Sequence, residues 1–441
     1  MNIILLSGGS GVRLWPLSNE VRSKQFLKIF KTDTGTYESM IQRMCRMIQA
    51  ADCNAEITIA TSQKQVSSIY HQLGKQVRVS VEPCRRDTFP AIALASAFLE
   101  KNGFSRQSTV IVCPVDPYVN ADYFECLKKL DSVAASGESN ITLMGIEPHS
   151  PSDKFGYILP ETLDEVSRVK AFKEKPSTEQ ARQYIQHGAL WNGGIFAFQL
   201  GYLLDIAAET YGRSDYAYLL ANYSRLEPIS FDYAVVEKEK EISVIRFHGE
   251  WKDLGSWDTL PDAMDEKIYG NSYVLDCENT HVINELSVPL IAMGLNNAVV
   301  AATPDGILVT AKAAESNLKD IAAKVAVRPM FEERGWGEYK VLDYQVNDDG
   351  ESSLTKELVI WPGESLSYQA HFERSEILTV IKGTGELLLD GKRRPIGRGE
   401  SVFIERGVKY AIRACTQMRV IEIQIGENLR EDDIERFPCE W

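Results

Sequence analysis

Two cations that follow the first short apolar run, and a carboxylate at the end of a later one, are the side chains of this sequence best suited to chemistry. Ile3 to Leu6 reads as a buried strand that breaks into Ser7-Gly8-Gly9-Ser10-Gly11, with Arg13 just beyond and Lys24 eleven residues further on. Glycines after a strand let backbone N–H groups close on phosphate oxygens, and a helix beginning there would add its positive end. The pattern is neither G-x-x-x-x-G-K-[ST] nor G-x-G-x-x-G, because Leu14 stands where the last glycine of the second would fall. The glycines by themselves fit a tight turn equally well. The cations weigh toward a ligand, since a polyphosphate needs fixed positive side chains as well as N–H donors. Asp116 follows the apolar run Thr109 to Cys113, at a strand end where open α/β sheets take ligands.

The elements that must position these residues follow from periodicity. Up to about residue 260, runs of strand length (Ile3 to Leu6, Ile57 to Ala60, Val77 to Val81, Thr109 to Cys113, Ile141 to Gly145) alternate with helix-like patterns (Ala91 to Lys101, Ala121 to Ala134, Thr178 to His187). This predicts an α/β domain with a mainly parallel sheet and helices on both faces. Near Gly270 the texture changes to short strands separated by turn residues, which predicts a compact all-β segment of a few β-helix coils. A helix-like stretch, Ala311 to Val325, precedes a further set of short strands from about residue 336, read as a small β-barrel or sandwich.

Composition excludes several classes of function. The chain has 441 residues and a formal net charge of -14, which argues against a general electrostatic grip on nucleic acid or anionic lipid. Its eight cysteines form no C-x-x-C pair and no ladder of short spacings, so neither a disulfide framework nor a zinc knuckle is expected. With no apolar run of membrane-spanning length, the expectation is a cytoplasmic protein.

Ser7-Gly8-Gly9-Ser10-Gly11-Val12-Arg13-Leu14-Trp15-Pro16-Leu17-Ser18, followed by Ser23-Lys24-Gln25-Phe26-Leu27, resembles the signature of bacterial mannose-1-phosphate guanylyltransferases of the type fused to a C-terminal mannose-6-phosphate isomerase domain. The resemblance continues in order. Glu82-Pro83-Cys84-Arg85-Arg86-Asp87-Thr88 is similar to E-P-x-x-R-N-T, Cys113 to Asp116 to P-x-D, and Lys154 to Ile158 to G-Y-G-Y-I. Phe172 to Pro176 resembles F-x-E-K-P, Leu190 to Phe196 resembles W-N-S-G-x-F, Ser230 to Lys238 resembles S-I-D-Y-A-V-M-E-K, and Trp251 to Trp257 resembles W-x-D-V-G-[ST]-W. It implies a Rossmann-like αβα nucleotidyltransferase domain that makes GDP-mannose and pyrophosphate from GTP and mannose 1-phosphate, by in-line attack on the α-phosphorus. Ser7, Gly8, Gly9, Gly11, Arg13, Lys24, Glu82, Asp87 and Thr88 would bind nucleotide. Gly156, Glu174, Lys175, Asn192 and Asp232 would bind the sugar phosphate. Asp116 and Asp253 would hold Mg2+, and Arg13, Lys24, Asp116, Lys175 and Asp253 would carry catalysis. Asp87 offers an acceptor for the N–H edge of guanine, with a helix N-cap as its alternative reading. A homo-oligomer, as a dimer, is expected on the same ground.

Departures from the family pattern keep alternatives open. Asp87, Pro117, Lys154 and Gly193 leave room for another sugar 1-phosphate or nucleotide, and a non-catalytic regulatory homologue stands as a third reading. Glu333 to Tyr339 resembles the R-P-W-G that opens the isomerase half, and Ser365 to Glu376 resembles its cupin metal motif S-L-Q-x-H-H-H-R-[AS]-E. Only His371 of three histidines is kept, with Phe372 and Glu373 in place of the others and Tyr410 where a distal histidine would fall. His371, Glu373 and Glu376 could still ligate a hard cation if i, i+2 share a strand face, but isomerase activity is expected to be absent. The expected domains are 1–265, 266–330 and 331–441.

Overall fold

Alternation along the first strand decides the layering of the N-terminal part. In the computed structural model, which describes all residues except 10, 11, 20, 313, 315–317, 326, 327, 349 and 440, the first apolar run forms β1 (Asn2–Ser7). Its Ile3 and Leu5 face a core shared with Ile41 and Met44 of the helix Met40–Ala51 and with Phe124 and Leu127 of the helix Ala121–Ser136. Ile4 points the other way, into a second core with Ile92 of the helix Thr88–Lys101 and with Leu203 and Leu204 of the helix Leu200–Tyr211. Side chains two apart share a face, so an all-apolar strand needs cover on both sides and receives it.

The other strands of this sheet are β2 (Glu56–Ser62), β3 (Arg78–Glu82), β4 (Thr109–Pro114), β5 (Ile141–Ile146), β6 (Gly156–Pro160), β7 (Val166–Lys173), β8 (Leu190–Gln199) and β9 (Ile242–Phe247), in the order β3-β2-β1-β4-β8-β5-β9-β7-β6. Pairing is parallel across β3-β2-β1-β4 and between β5 and β9. It is antiparallel wherever β6, β7 or β8 meets a neighbour, with β7 against β9 included. The sheet is therefore mixed rather than mainly parallel. Five residues join β6 to β7, too few for the crossover that a parallel pair requires.

Two pairings set the site. Leu6 of β1 lies opposite Pro114 of β4, so the glycine loop and Asp116 leave the sheet side by side. The short strand Trp251–Asp253 runs antiparallel to Pro117–Val119 and puts Asp253 opposite Pro117, next to Asp116.

The chain forms two compact units. Met1–Leu14 with Ser23–Glu266 make the first, and Trp15–Arg22 with Lys267–Trp441 the second. In the second unit, strands after Gly270 stack as β-helix coils: Ser272 lies beside Leu290 and His281 beside Val299, each pair 18 residues apart and parallel. Val282, Ala292 and Val300 fill the coil interior. The helix expected over Ala311 to Val325 is Leu318–Val325; 313 and 315–317 lie outside the described residues. The last part is a pair of facing antiparallel sheets of six and five strands around a core including Leu358, Leu378, Ile412 and Val420. Among the described residues, no helix is long and apolar enough to cross a membrane.

Gly270 has φ +81°, and a Cβ there would lie 1.9 Å from the Asn284 carbonyl oxygen of the next coil. Gly270→Ala is expected to destabilise the second unit by about 1–3 kcal/mol or more, from backbone strain and the clash together; denaturant unfolding of the full chain measures it.

Candidate functional site

Lys24 opens a single turn, Lys24–Phe26, in which its side chain is buried. Its Nζ lies 2.6 Å from Asp116 Oδ2 and 3.5 Å from Asp253 Oδ1. Burial works against the ammonium charge, and the two carboxylates more than offset it, so the Lys24 pKa sits above its ordinary value. Asp116 and Asp253 also line a cavity of about 260 Å³ with Leu6, Thr88, Asn192 and Asp232. Phe155 and Trp251 line it too, 5.6 Å apart centroid to centroid, and Phe155 rests on the buried Trp191 ring at 4.8 Å. Trp191 is held in turn by donating from Nε1 to the Tyr157 hydroxyl at 2.9 Å.

The glycine loop differs from the expectation in one respect. It leads into a three-residue 3-10 turn, Val12–Leu14, so no helix aims its positive end at a ligand; Arg13 in that turn is exposed. Neither Gly8 nor Gly9 takes a left-handed conformation. A Cβ on Gly9 would meet nothing within 4 Å, so packing within the chain does not demand glycine there. Gly11 lies outside the described residues. Beneath the loop is a polar lattice that the motifs did not point to. Gln25 Nε2 donates to Ser7 Oγ and Gln65 Oε1, each at 3.2 Å, and Gln65 Nε2 donates to the Gly9 carbonyl at 3.2 Å and to Ser23 Oγ at 2.7 Å. Ser7 is thereby a buried support. Gln25, next to Lys24, was the available signal.

Glu82 is buried by the loop, accepts from the Tyr223 hydroxyl at 2.7 Å, and is pushed up in pKa mainly by burial. Asp87 has φ +66° and accepts from the Thr88 N–H at 2.7 Å, the N-cap geometry weighed as its alternative role. Thr88 Oγ1 accepts from the Phe231 N–H at 2.8 Å, tying this loop to the turn that carries Asp232.

The residues read as sugar-facing do converge. Asn192 Nδ2 donates to Asp232 Oδ1 at 2.7 Å, and Lys175 Nζ lies 3.1 Å from Glu174 Oε1. A Cβ on Gly156 would sit 2.5 Å from Glu174 Oε2, so glycine admits Glu174 to the site. Burial and then the Glu174 charge push the Asp232 carboxyl up to about 6. Lys175, at φ +42°, is in a left-handed conformation.

The barrel brings together only part of the proposed cupin set. Residues 371–373 precede the strand Arg374–Lys382 instead of lying in it, so the i, i+2 argument fails: His371 is buried and Glu373 is exposed. His371 Nε2 lies 3.5 Å from Glu376 Oε1, and the Tyr410 hydroxyl donates to Glu376 Oε2. Gln369 Nε2 donates to the Tyr410 oxygen at 3.0 Å. The countercharge to Glu376 is Arg374, whose Nε donates to Glu376 Oε1 at 2.8 Å. Among the described residues, no group of three or more His, Cys, Asp or Glu side chains could hold a metal ion.

Comparison with known proteins gives two family matches. Residues 2–268 match the nucleotidyl transferase family, and residues 326–438 match the mannose-6-phosphate isomerase C-terminal family. Xanthan biosynthesis protein XanB of Xanthomonas campestris pv. campestris (strain B100) is 30% identical over an alignment covering 98% of this chain and 97% of that protein. Mannose-1-phosphate guanylyltransferase of Salmonella montevideo is 29% identical, with 98% of each covered. The crystal structure described as mannose-1-phosphate geranyltransferase from Thermus thermophilus has a TM-score of 0.62 and 26% identity, covering 73% of this chain and 98% of that one.

Burial, then the Glu376 charge, pushes the Glu422 carboxyl above its ordinary value. The folded state therefore keeps a proton that the unfolded state releases as pH rises, and Glu422 costs stability above the ordinary carboxylate range. Glu422→Gln is expected to raise the melting temperature more at pH 8 than at pH 5, as read by calorimetry at both pH values.

Proposed function

The chain belongs to the nucleotidyl transferase family, and from that premise we propose that it joins mannose 1-phosphate to GTP, giving GDP-mannose and pyrophosphate. The observation that carries this reading is that Asp116 and Asp253, both paired with Lys24, line one cavity with Asn192 and Asp232. Residues from motifs far apart in the chain thus line a common space, which supports the reading.

A phosphate oxygen of the sugar 1-phosphate attacks the α-phosphorus in line. One P–O bond forms as the bond from the α-phosphorus to the bridging oxygen breaks, and pyrophosphate leaves with the electron pair. Such a transfer asks the protein for position and charge neutralisation. Arg13 and Lys24 neutralise the departing pyrophosphate; Lys175 pairs with the sugar phosphate; Glu174, Asn192 and Asp232 accept from or donate to sugar hydroxyls, with Gly156 making room. Ser7, Gly8, Gly9, Gly11, Glu82, Asp87 and Thr88 form the nucleotide side, Ser7 as a support beneath the loop. Two half-exposed carboxylates with a cation already drawn between them suit a hard divalent ion, and Asp116 and Asp253 are the residues to hold Mg2+. When bound, Mg2+ supplies charge neutralisation across the phosphates being joined.

In the same reading the chain divides into 1–265, 266–330 and 331–441, acts in the cytoplasm as a homodimer, and uses its barrel without isomerase activity. Arg374 paired with Glu376 supports the last point; robust conversion of mannose 6-phosphate to fructose 6-phosphate with added divalent metal would overturn it.

Pyrophosphate release over a matrix of four NTPs and several sugar 1-phosphates is expected to peak with GTP and mannose 1-phosphate. Lys24→Ala is expected to lower turnover on the order of a hundredfold or more with the fold retained, and near-normal turnover rejects its role. The raised Asp232 pKa predicts that kcat/KM for the sugar phosphate falls as pH drops through about 6, where the carboxylate acceptor is lost. Asp232→Asn should lose that component, while the titration of the substrate's own phosphate is common to both enzymes.

A further inference from the structure

One side chain fastens the glycine loop from below. Gln65 follows β2 and stands directly before the helix Val66–Leu73, yet its amide makes no cap to that helix. It is buried and turns to the loop instead. Its Nε2 donates to the Gly9 carbonyl at 3.2 Å and to Ser23 Oγ at 2.7 Å, while its Oε1 accepts from Gln25 Nε2 at 3.2 Å and lies 2.9 Å from Thr61 Oγ1. An amide has two N–H groups and two lone pairs to offer, and all are engaged. The Gly9 carbonyl can only accept, so nitrogen is the end of the amide that faces it. All of these residues belong to the first unit.

What the amide holds is a loop that packing leaves loose. Gly9 is exposed, and a Cβ on it would meet nothing within 4 Å. The Lys24 ammonium is fixed separately, by Asp116 and Asp253. An anion is attracted by N–H groups and repelled by carbonyl oxygens, so a loop that cradles phosphate must keep its carbonyls turned away from it. Ser7 and Gly9 both turn theirs onto buried side chains: the Ser7 carbonyl accepts from Thr61 Oγ1 at 3.0 Å, and the Gly9 carbonyl from Gln65.

We propose that Gln65 is a positioning residue for the nucleotide: by holding the Gly9 carbonyl beneath the loop, it keeps that oxygen out of the path of the phosphates and the loop ordered before they arrive. The proposal rests on the reading that this loop grips the triphosphate. Without the amide, the loop is ordered only as the ligand binds, and the lost backbone freedom then weighs against nucleotide binding. The sugar phosphate is assigned to other residues, Glu174, Lys175, Asn192 and Asp232, so its binding does not carry that cost.

The test is Gln65→Met, which keeps the length and bulk of the side chain, adds no charge near the phosphates and has no N–H to give. It is compared with the unaltered full chain by KM for GTP and for mannose 1-phosphate, from pyrophosphate release, and by hydrogen–deuterium exchange without ligand. KM for GTP is expected to rise about tenfold, with KM for mannose 1-phosphate within about twofold of its original value. The peptide that carries Gly8 and Gly9 is expected to exchange at least about fivefold faster, while the helix Thr88–Lys101 exchanges as before.

The proposal is overturned if exchange of the loop is unchanged. It is equally overturned if the loop loosens while KM for GTP stays within about twofold, or if both KM values rise together. Should Gln65→Met fail to fold, Gln65→Asn, whose amide falls one methylene short of Gly9, is held to the same criteria. An unaltered chain that releases no pyrophosphate with any NTP overturns the functional reading and this inference with it; an active chain whose variant keeps its KM for GTP overturns this inference alone.

Discussion

A buried ammonium cannot be left without countercharge, and the active face of the first unit is organised around that constraint. Lys24 is held 2.6 Å from Asp116 and 3.5 Å from Asp253. Removing either carboxylate would leave a desolvated charge poorly paired, which costs far more than an exposed ion pair is worth. Satisfying Lys24 therefore requires the end of β4 beside the end of β1, and a two-strand pairing that places Trp251–Asp253 against Pro117–Val119. Both arrangements are backbone hydrogen-bond ladders, so the charges are positioned by rigid elements. The same carboxylate pair that now holds an ammonium has the chemistry to hold a divalent cation.

Around this centre, polar and apolar surfaces take different tasks. Gln25 and Gln65 tie the glycine loop to the sheet from below, and their amides satisfy backbone and hydroxyl groups that would otherwise be buried unpaired. Phe155 and Trp251 line the cavity together with Asn192 and Asp232, and Trp191 packs behind Phe155. An apolar wall with a few fixed polar groups is the common build of a small-molecule site. Here the polar groups also fix one another, and the Glu174 charge helps burial hold the Asp232 carboxyl near the range where small changes in pH matter.

The second unit applies the opposite solution to buried charge. Inside the barrel, Glu376 is satisfied by Arg374, the Tyr410 hydroxyl and the neighbouring His371. That network is closed within itself. The β-helix coils that precede the barrel in the chain also hold the Trp15–Arg22 segment.

The chemistry-bearing residue types were legible in the sequence, because strand-length apolar runs, glycines and charged residues act locally: β1, β4, the helix Thr88–Lys101 and the coil strands after Gly270 all lie within a few residues of their expected bounds. Lys24, Asp116, Asp253, Asn192 and Asp232 could be named from motif order. Their meeting could not, since it depends on pairings between segments more than a hundred residues apart, and nothing local encodes register between distant strands. The same holds for what was missed or misread. The antiparallel half of the sheet follows from a short connection, the Gln25–Gln65 lattice from two segments meeting under a loop, and the exposure of Glu373 from a strand that begins one residue later. The sequence by itself determined which groups could act; the tertiary structure alone decided which of them share a space, because burial and pairing are properties of the folded chain as a whole.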